Sequence, residues 1–144
     1  LASDVSSMHI RRLEAGILDY GTDIDQSLNP FEVGLGRLVH LDKGDFVGRE
    51  ALSLVSKGIA RVTGMICDQG SPVRGDKLIS KNGEEVGFVS AGAWSPTLDA
   101  GIGLIRLTSP LEAETELLVE TENGSHRAKV TNLPFYDKKK LLTK

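Results

Sequence analysis

The sequence predicts a mainly β protein with a short helical N-terminal segment and a C-terminal, six-stranded, Greek-key or jelly-roll-like antiparallel barrel. Three observations predict it. A helical stripe stands out near residues 48–57, the signal turns to short apolar or alternating runs from Ala60 onward, and Asn-Gly pairs punctuate those runs. Several short antiparallel strands bury their apolar faces and protect their edges most readily by closing into a barrel or stacking as a sandwich. The chain then divides into residues 1–58 with one helix at about 48–57, a barrel over 59–137, and a basic tail over 138–144.

In chain order, the stretch from Ser3 to His40 opens with the apolar and charged run His9 to Leu18 and continues through Gly21, Asp23, Asp25, Asn29 and Pro30. These are turn formers, so the block reads as connecting structure without a core of its own. Next, Asp45 or Gly48 can cap a helix whose stripe is Val47, Ala51, Leu54 and Val55, with Gly58 as its stop. Six candidate strands follow at residues 61–67, 77–80, 85–90, 101–107, 116–120 and 126–130. Asn82-Gly83 and Asn123-Gly124 lie between strand pairs, where the positive φ angles of a two-residue type I′ turn would suit them. Two hairpins are therefore expected.

Composition narrows the function classes. An apolar fraction of 40% and a charged fraction of 26% suit a soluble globular domain rather than a disordered chain. With 17 basic and 20 acidic residues interspersed, net charge −3, no basic stripe is available to neutralise a phosphate backbone, so nucleic acid is not an expected partner. Lys138, Lys139, Lys140 and Lys144 read as a solvated tail. No run approaches the roughly 20 apolar residues of a membrane span, and the cytoplasm is the default compartment. The single cysteine, Cys67, cannot form an internal disulfide and reads as a buried strand thiol. The chain begins on Leu1 rather than Met, which suits a processed chain or a fragment.

Local enzyme signatures are lacking: no GxSxG elbow, no GxxxxGK[ST] phosphate loop and no HExxH zinc pair occurs. Gly34-Leu35-Gly36 has Val39 where a dinucleotide fingerprint needs its third glycine. Asp23 and Asp25 sit where Asp normally hydrogen-bonds nearby backbone amides. Arg12 and Glu14, two apart, would share a face if their segment were extended. Arg12 offers a planar donor fork for a carboxylate or a polar heterocycle, while an Arg-Glu ion pair is the plainer reading. Arg74 and Trp94 lie in segments read as loops, where they could face a ligand or serve a turn and a packed aromatic.

A set of ordered words then becomes informative: Arg12-Leu13-Glu14-Ala15-Gly16, Tyr20-Gly21-Thr22-Asp23-Ile24-Asp25, Asn29-Pro30-Phe31-Glu32-Val33-Gly34-Leu35-Gly36 and Asp45-Phe46-Val47-Gly48-Arg49-Glu50-Ala51-Leu52. Pro72-Val73-Arg74, Val86-Gly87-Phe88-Val89-Ser90-Ala91-Gly92, Ser95-Pro96-Thr97-Leu98 and Leu133-Pro134-Phe135-Tyr136 follow. In this order they resemble the second half of the glycine cleavage T-protein (aminomethyltransferase) family across nearly the whole chain.

The resemblance implies a longer, three-domain, ring-like parent with tetrahydrofolate near the ring's centre. Residues 1–58 would be the end of the folate-binding region and residues 59–137 the C-terminal barrel. It further implies that Arg12, and more weakly Arg74, contact the folate. The family's chemistry moves a one-carbon unit onto tetrahydrofolate, from a lipoyl arm in glycine cleavage, which would make a lipoyl carrier protein a partner. Related demethylases of dimethylsulfoniopropionate and dehydrogenases of sarcosine or dimethylglycine are alternative readings, as is a non-catalytic barrel module. Lys43-Gly44-Asp45-Phe46-Val47-Gly48-Arg49-Glu50 lacks the Cys of the iron-sulfur-assembly branch. The family's catalytic Asp has no counterpart in this chain, which is thus expected to be inactive alone and to be prone to self-association through surface normally covered.

Overall fold

The protein is described by a computed structural model covering residues 4–55 and 58–137. Ser56, Lys57 and the basic tail lie outside the described residues. Six strands form the barrel: β1 (Val62–Cys67), β2 (Lys77–Ile79), β3 (Glu85–Ser95), β4 (Ala100–Leu107), β5 (Glu116–Thr121) and β6 (Gly124–Thr131). The order around the closed barrel is β1-β4-β3-β2-β5-β6, and every neighbouring pair is antiparallel. β2, β3 and β4 form a meander, with β1 returning to lie beside β4 and β5 beside β2. That gives two overlapping Greek keys, the expected architecture.

The barrel interior is filled by Met65, Cys67, Leu78, Val89, Ile105, Leu107, Leu117, Val119, Ala128 and Val130. Strand β5 shows the pattern that produces this, Leu117 and Val119 buried between exposed Glu116, Leu118 and Glu120. Cys67 is buried here as expected, and its burial pushes the thiol up to about 11, with Asp68 and Asp76 adding to the rise.

Both hairpins exist, but neither uses its Asn-Gly as the centre of a type I′ turn. Thr121 pairs with Gly124, so the loop is Glu122-Asn123, and residues 80–84 separate β2 from β3. Only the glycines, at φ 84° for Gly83 and 116° for Gly124, have positive φ; Asn82 and Asn123 do not. Type I′ needs positive φ at both central residues, and here the left-handed position falls only on the residue that can take it without a Cβ clash.

Residues 4–40, expected as connecting structure, contain a helix, α1 (Val5–Glu14). Asp4 caps its start by accepting from the Ser7 amide at 3.0 Å. Gly16 ends it in a Schellman motif, with Ile17 N–H on the Arg12 carbonyl at 3.0 Å and Gly16 N–H on the Leu13 carbonyl at 2.8 Å. Between these caps Leu13 is fully buried in a second apolar cluster with Ala91, Ile102, Leu104 and Phe135. Strand β4 is thus buried on both faces, Ile105 and Leu107 towards the barrel interior and Ile102 and Leu104 beneath α1, which is why it reads as a nearly continuous apolar run.

The expected helix at 48–57 is shorter. It is α2 (Arg49–Leu54), and Val55 is already extended at φ −82° and ψ 138°. None of its residues is buried, and Val47 and Leu54 of the expected stripe are exposed. A helix of this length that buries none of its side chains has little to propagate it.

Candidate functional site

The site is built around Arg12, in the last turn of α1, where the Schellman turn at Gly16 brings the chain back across the helix end. Helical spacing of about 100° per residue separates Arg12 from Glu14 by roughly 200°, so the two do not pair. Glu14 is buried and accepts the Ser95 hydroxyl at 2.6 Å, while Arg12 turns to the loop that follows the helix. Its Nη1 donates to the Ile17 carbonyl at 2.8 Å and to Asp23 Oδ2 at 2.6 Å.

Asp23 is fully buried. Besides Arg12, its Oδ2 accepts the Asp19 amide at 2.8 Å, the local turn role expected for it, and its Oδ1 accepts the Ser90 hydroxyl from β3 at 2.6 Å. Ser90 is the residue skipped in the β3–β4 register, since Val89 pairs with Ile105 and Ala91 with Leu104. Val89 belongs to the barrel interior and Ala91 to the cluster under α1, so this bulge lets two consecutive residues, Ser90 and Ala91, face the N-terminal segment. Ser90 was not foreseen as part of the site. Nothing in Phe88-Val89-Ser90-Ala91-Gly92 distinguishes it from any other strand serine.

Two further carboxylates of the same segment are engaged by the barrel. Asp25 accepts Arg106 Nη1 at 2.7 Å and is held well below the usual carboxylate range by Arg106 and then by Ser27. Glu32 accepts Arg61 Nη1 at 2.9 Å and is also lowered, first by the Asn29 amide and then by Arg61.

Arg74, the second expected contact, stands exposed on a turn in which Asp76 N–H donates to the Val73 carbonyl at 3.2 Å. No hydrogen bond or ion pair joins it to the Arg12 cluster among the described residues. Trp94 is in β3 rather than a loop and is partly exposed. Residues 15–18 also line an open, mainly apolar cleft of about 610 Å³ whose walls include Val33, Leu35, Leu133 and the cation Arg37. Among the described residues no group of three or more His, Cys, Asp or Glu is placed to hold a metal ion.

The arrangement suits recognition rather than bond making. Both Nη1 hydrogens of Arg12 are committed, leaving the Nε–H and Nη2 hydrogens, the edge that meets a planar pair of acceptors side-on. No buried polar side-chain atom among the described residues lacks a partner, so this unpaired edge is reached by solvent rather than sealed.

Comparison with known proteins agrees with this fold. Residues 61–137 match the family described as glycine cleavage T-protein C-terminal barrel domain, and the chain belongs to that family. Among similar proteins are the aminomethyltransferases of Synechococcus sp. (strain CC9902), 40% identical over 129 residues, and of Thermosipho melanesiensis, 37% over 128 residues. Each alignment covers 87% of this chain and 35% of the relative, so the chain spans about a third of the length of the curated relatives it matches. The crystal structure of glycine cleavage system aminomethyltransferase T from Bartonella henselae superposes with a TM-score of 0.80 over 92% of this chain and 39% of that one, at 24% identity, which supports the fold.

Proposed function

We propose that this chain provides the end of the folate-binding region, residues 1–58, and the C-terminal barrel, residues 59–137, of an aminomethyltransferase that moves a one-carbon unit onto tetrahydrofolate. The observation that carries the reading is Arg12. It stands in the word Arg12-Leu13-Glu14-Ala15-Gly16 that resembles the family, and its Nε/Nη2 edge is unpaired and solvent-reached beside a fixed carboxylate. Tetrahydrofolate, when bound, supplies the amine that accepts the one-carbon unit. The chain's own part is to bind and orient it: Arg12 meets a planar acceptor pair of the folate, and Arg74, exposed and without a hydrogen bond or ion pair among the described residues, is the second cation offered to it. The lipoyl carrier protein is the matching donor partner. The aminomethyltransferase relatives favour this reading over demethylase or dehydrogenase relatives.

Calorimetric titration of tetrahydrofolate into the complete gene product carrying this chain tests the assignment. Arg12→Ala should weaken binding roughly tenfold or more, the scale of a lost charge-assisted bidentate contact. Unchanged affinity would remove Arg12 from the site.

A further inference from the structure

We propose that Asp23, itself held by Ser90 of the barrel, is a positioning residue that aims the Nε/Nη2 edge of Arg12 at its ligand; the inference rests on the reading of Arg12 as a folate contact. Three observations carry it. Both oxygens of the fully buried Asp23 carboxylate are engaged, Oδ2 by Arg12 and the Asp19 amide and Oδ1 by the buried Ser90 hydroxyl. The Ser90 hydroxyl also lies 3.1 Å from the Leu104 carbonyl, but a swing of the carboxylate would break its ion pair with Arg12 and its bond to the Asp19 amide, which opposes rearrangement.

The guanidinium is planar, and both hydrogens of Nη1 are taken by Asp23 and the Ile17 carbonyl. Two acceptors on one terminal nitrogen define the plane and leave only the opposite edge for a ligand. An unrestrained Arg side chain loses rotamer freedom when a ligand orders it, and one already fixed loses less, so the carboxylate raises affinity without touching the ligand.

Ser90 occupies a bulge in β3, and bulges serve to re-aim a side chain at some cost to the strand ladder. Here the re-aimed group is a buried hydroxyl whose partner Asp23 lies 67 residues away in sequence. The barrel wall thereby sets the orientation of a guanidinium that belongs to the N-terminal helix.

The test uses the complete gene product and three readings: tetrahydrofolate affinity by calorimetry, thermal unfolding, and nitrogen-15 resonances of the Arg12 guanidinium. In the parent protein the Nη1 and Nη2 resonances of Arg12 should be separate, because rotation of the guanidinium is arrested. Asp23→Asn keeps the volume and removes the charge; it should merge those resonances and weaken binding roughly tenfold. Combined with Arg12→Ala it should cost no more than Arg12→Ala alone, a non-additivity that a purely structural role would not produce. Ser90→Ala should shift both readings the same way by a smaller amount, and it decides the matter if Asp23→Asn does not fold.

Parent-like affinity and arrested resonances in the folded variants, with Arg12→Ala still weakening binding, overturn the positioning role and leave the folate contact standing. Additive losses from Asp23→Asn and Arg12→Ala overturn it as well. Parent-like affinity in Arg12→Ala defeats the folate reading itself, and this inference with it.

Discussion

At Gly16 two separate demands fall on one residue. Its φ of +65° is the left-handed value that closes the Schellman motif, and a Cβ there would lie 3.0 Å from Leu133 Cβ and 3.2 Å from Pro134 Cα. Gly16→Ala should therefore destabilise the protein by about 1–3 kcal/mol, through left-handed strain and the displacement of the residue 133–134 backbone. Thermal or urea unfolding of the variant measures this, and a loss of a few tenths of a kcal/mol would show that the seam yields. The same turn presents the Ile17 carbonyl to Arg12, so guanidinium geometry should loosen in parallel.

At the scale of the element, α1 and α2 show how little helix length alone decides. Ten-residue α1 is capped at both ends and docked through Leu13, whereas six-residue α2 buries nothing. Leu13→Ala should cost roughly 2–5 kcal/mol, the range for emptying a fully buried leucine site. Because Arg12 and Glu14 flank that anchor, the Glu14–Ser95 bond should weaken with it. Amide hydrogen exchange should then rise in α1 while β5 and β6, which fill the far side of the barrel, stay protected. Uniform loss of protection would mean that helix and barrel unfold as one unit.

Across the whole molecule, four carboxylates of the N-terminal segment are each taken by a barrel side chain: Glu14 by Ser95, Asp23 by Ser90, Asp25 by Arg106 and Glu32 by Arg61. The sign of the resulting pH dependence follows from Asp25 and Glu32, whose folded-state values lie below the ordinary 3.8 and 4.5. Groups lowered by folding stabilise above their unfolded values, and that contribution is lost as pH falls through the folded ones. The unfolding temperature should thus begin to drop below about pH 5 and keep falling below about pH 3, as the lowered folded-state values are approached. Arg106→Gln should flatten part of that drop, since Asp25 would lose the largest cause of its lowering and keep only the Ser27 hydrogen bonds. Melting curves across this range check the expectation, and an unchanged slope in the variant would place the acid sensitivity elsewhere.

The barrel is written in the residues alone, because period-two alternation and turn-forming pairs are local properties that survive without any knowledge of neighbours. Five of the six strands are legible close to their observed bounds, β3 runs five residues past its expected end to Ser95, and the ordered words carry the family. The caps of α1 were also present, Asp4 and Gly16 lying twelve residues apart, but the turn-rich stretch after them masked a helix whose single full anchor is Leu13. Arg12 could be picked out as a donor fork, yet its partner could not. The Arg12–Asp23–Ser90 chain depends on a loop meeting a bulged strand 67 residues further on, and the Arg106–Asp25 pair spans 81 residues. Contacts at that separation leave no periodic trace in the chain. Only the closing of the barrel beneath α1 decides which carboxylate is buried, and which edge of the guanidinium remains open.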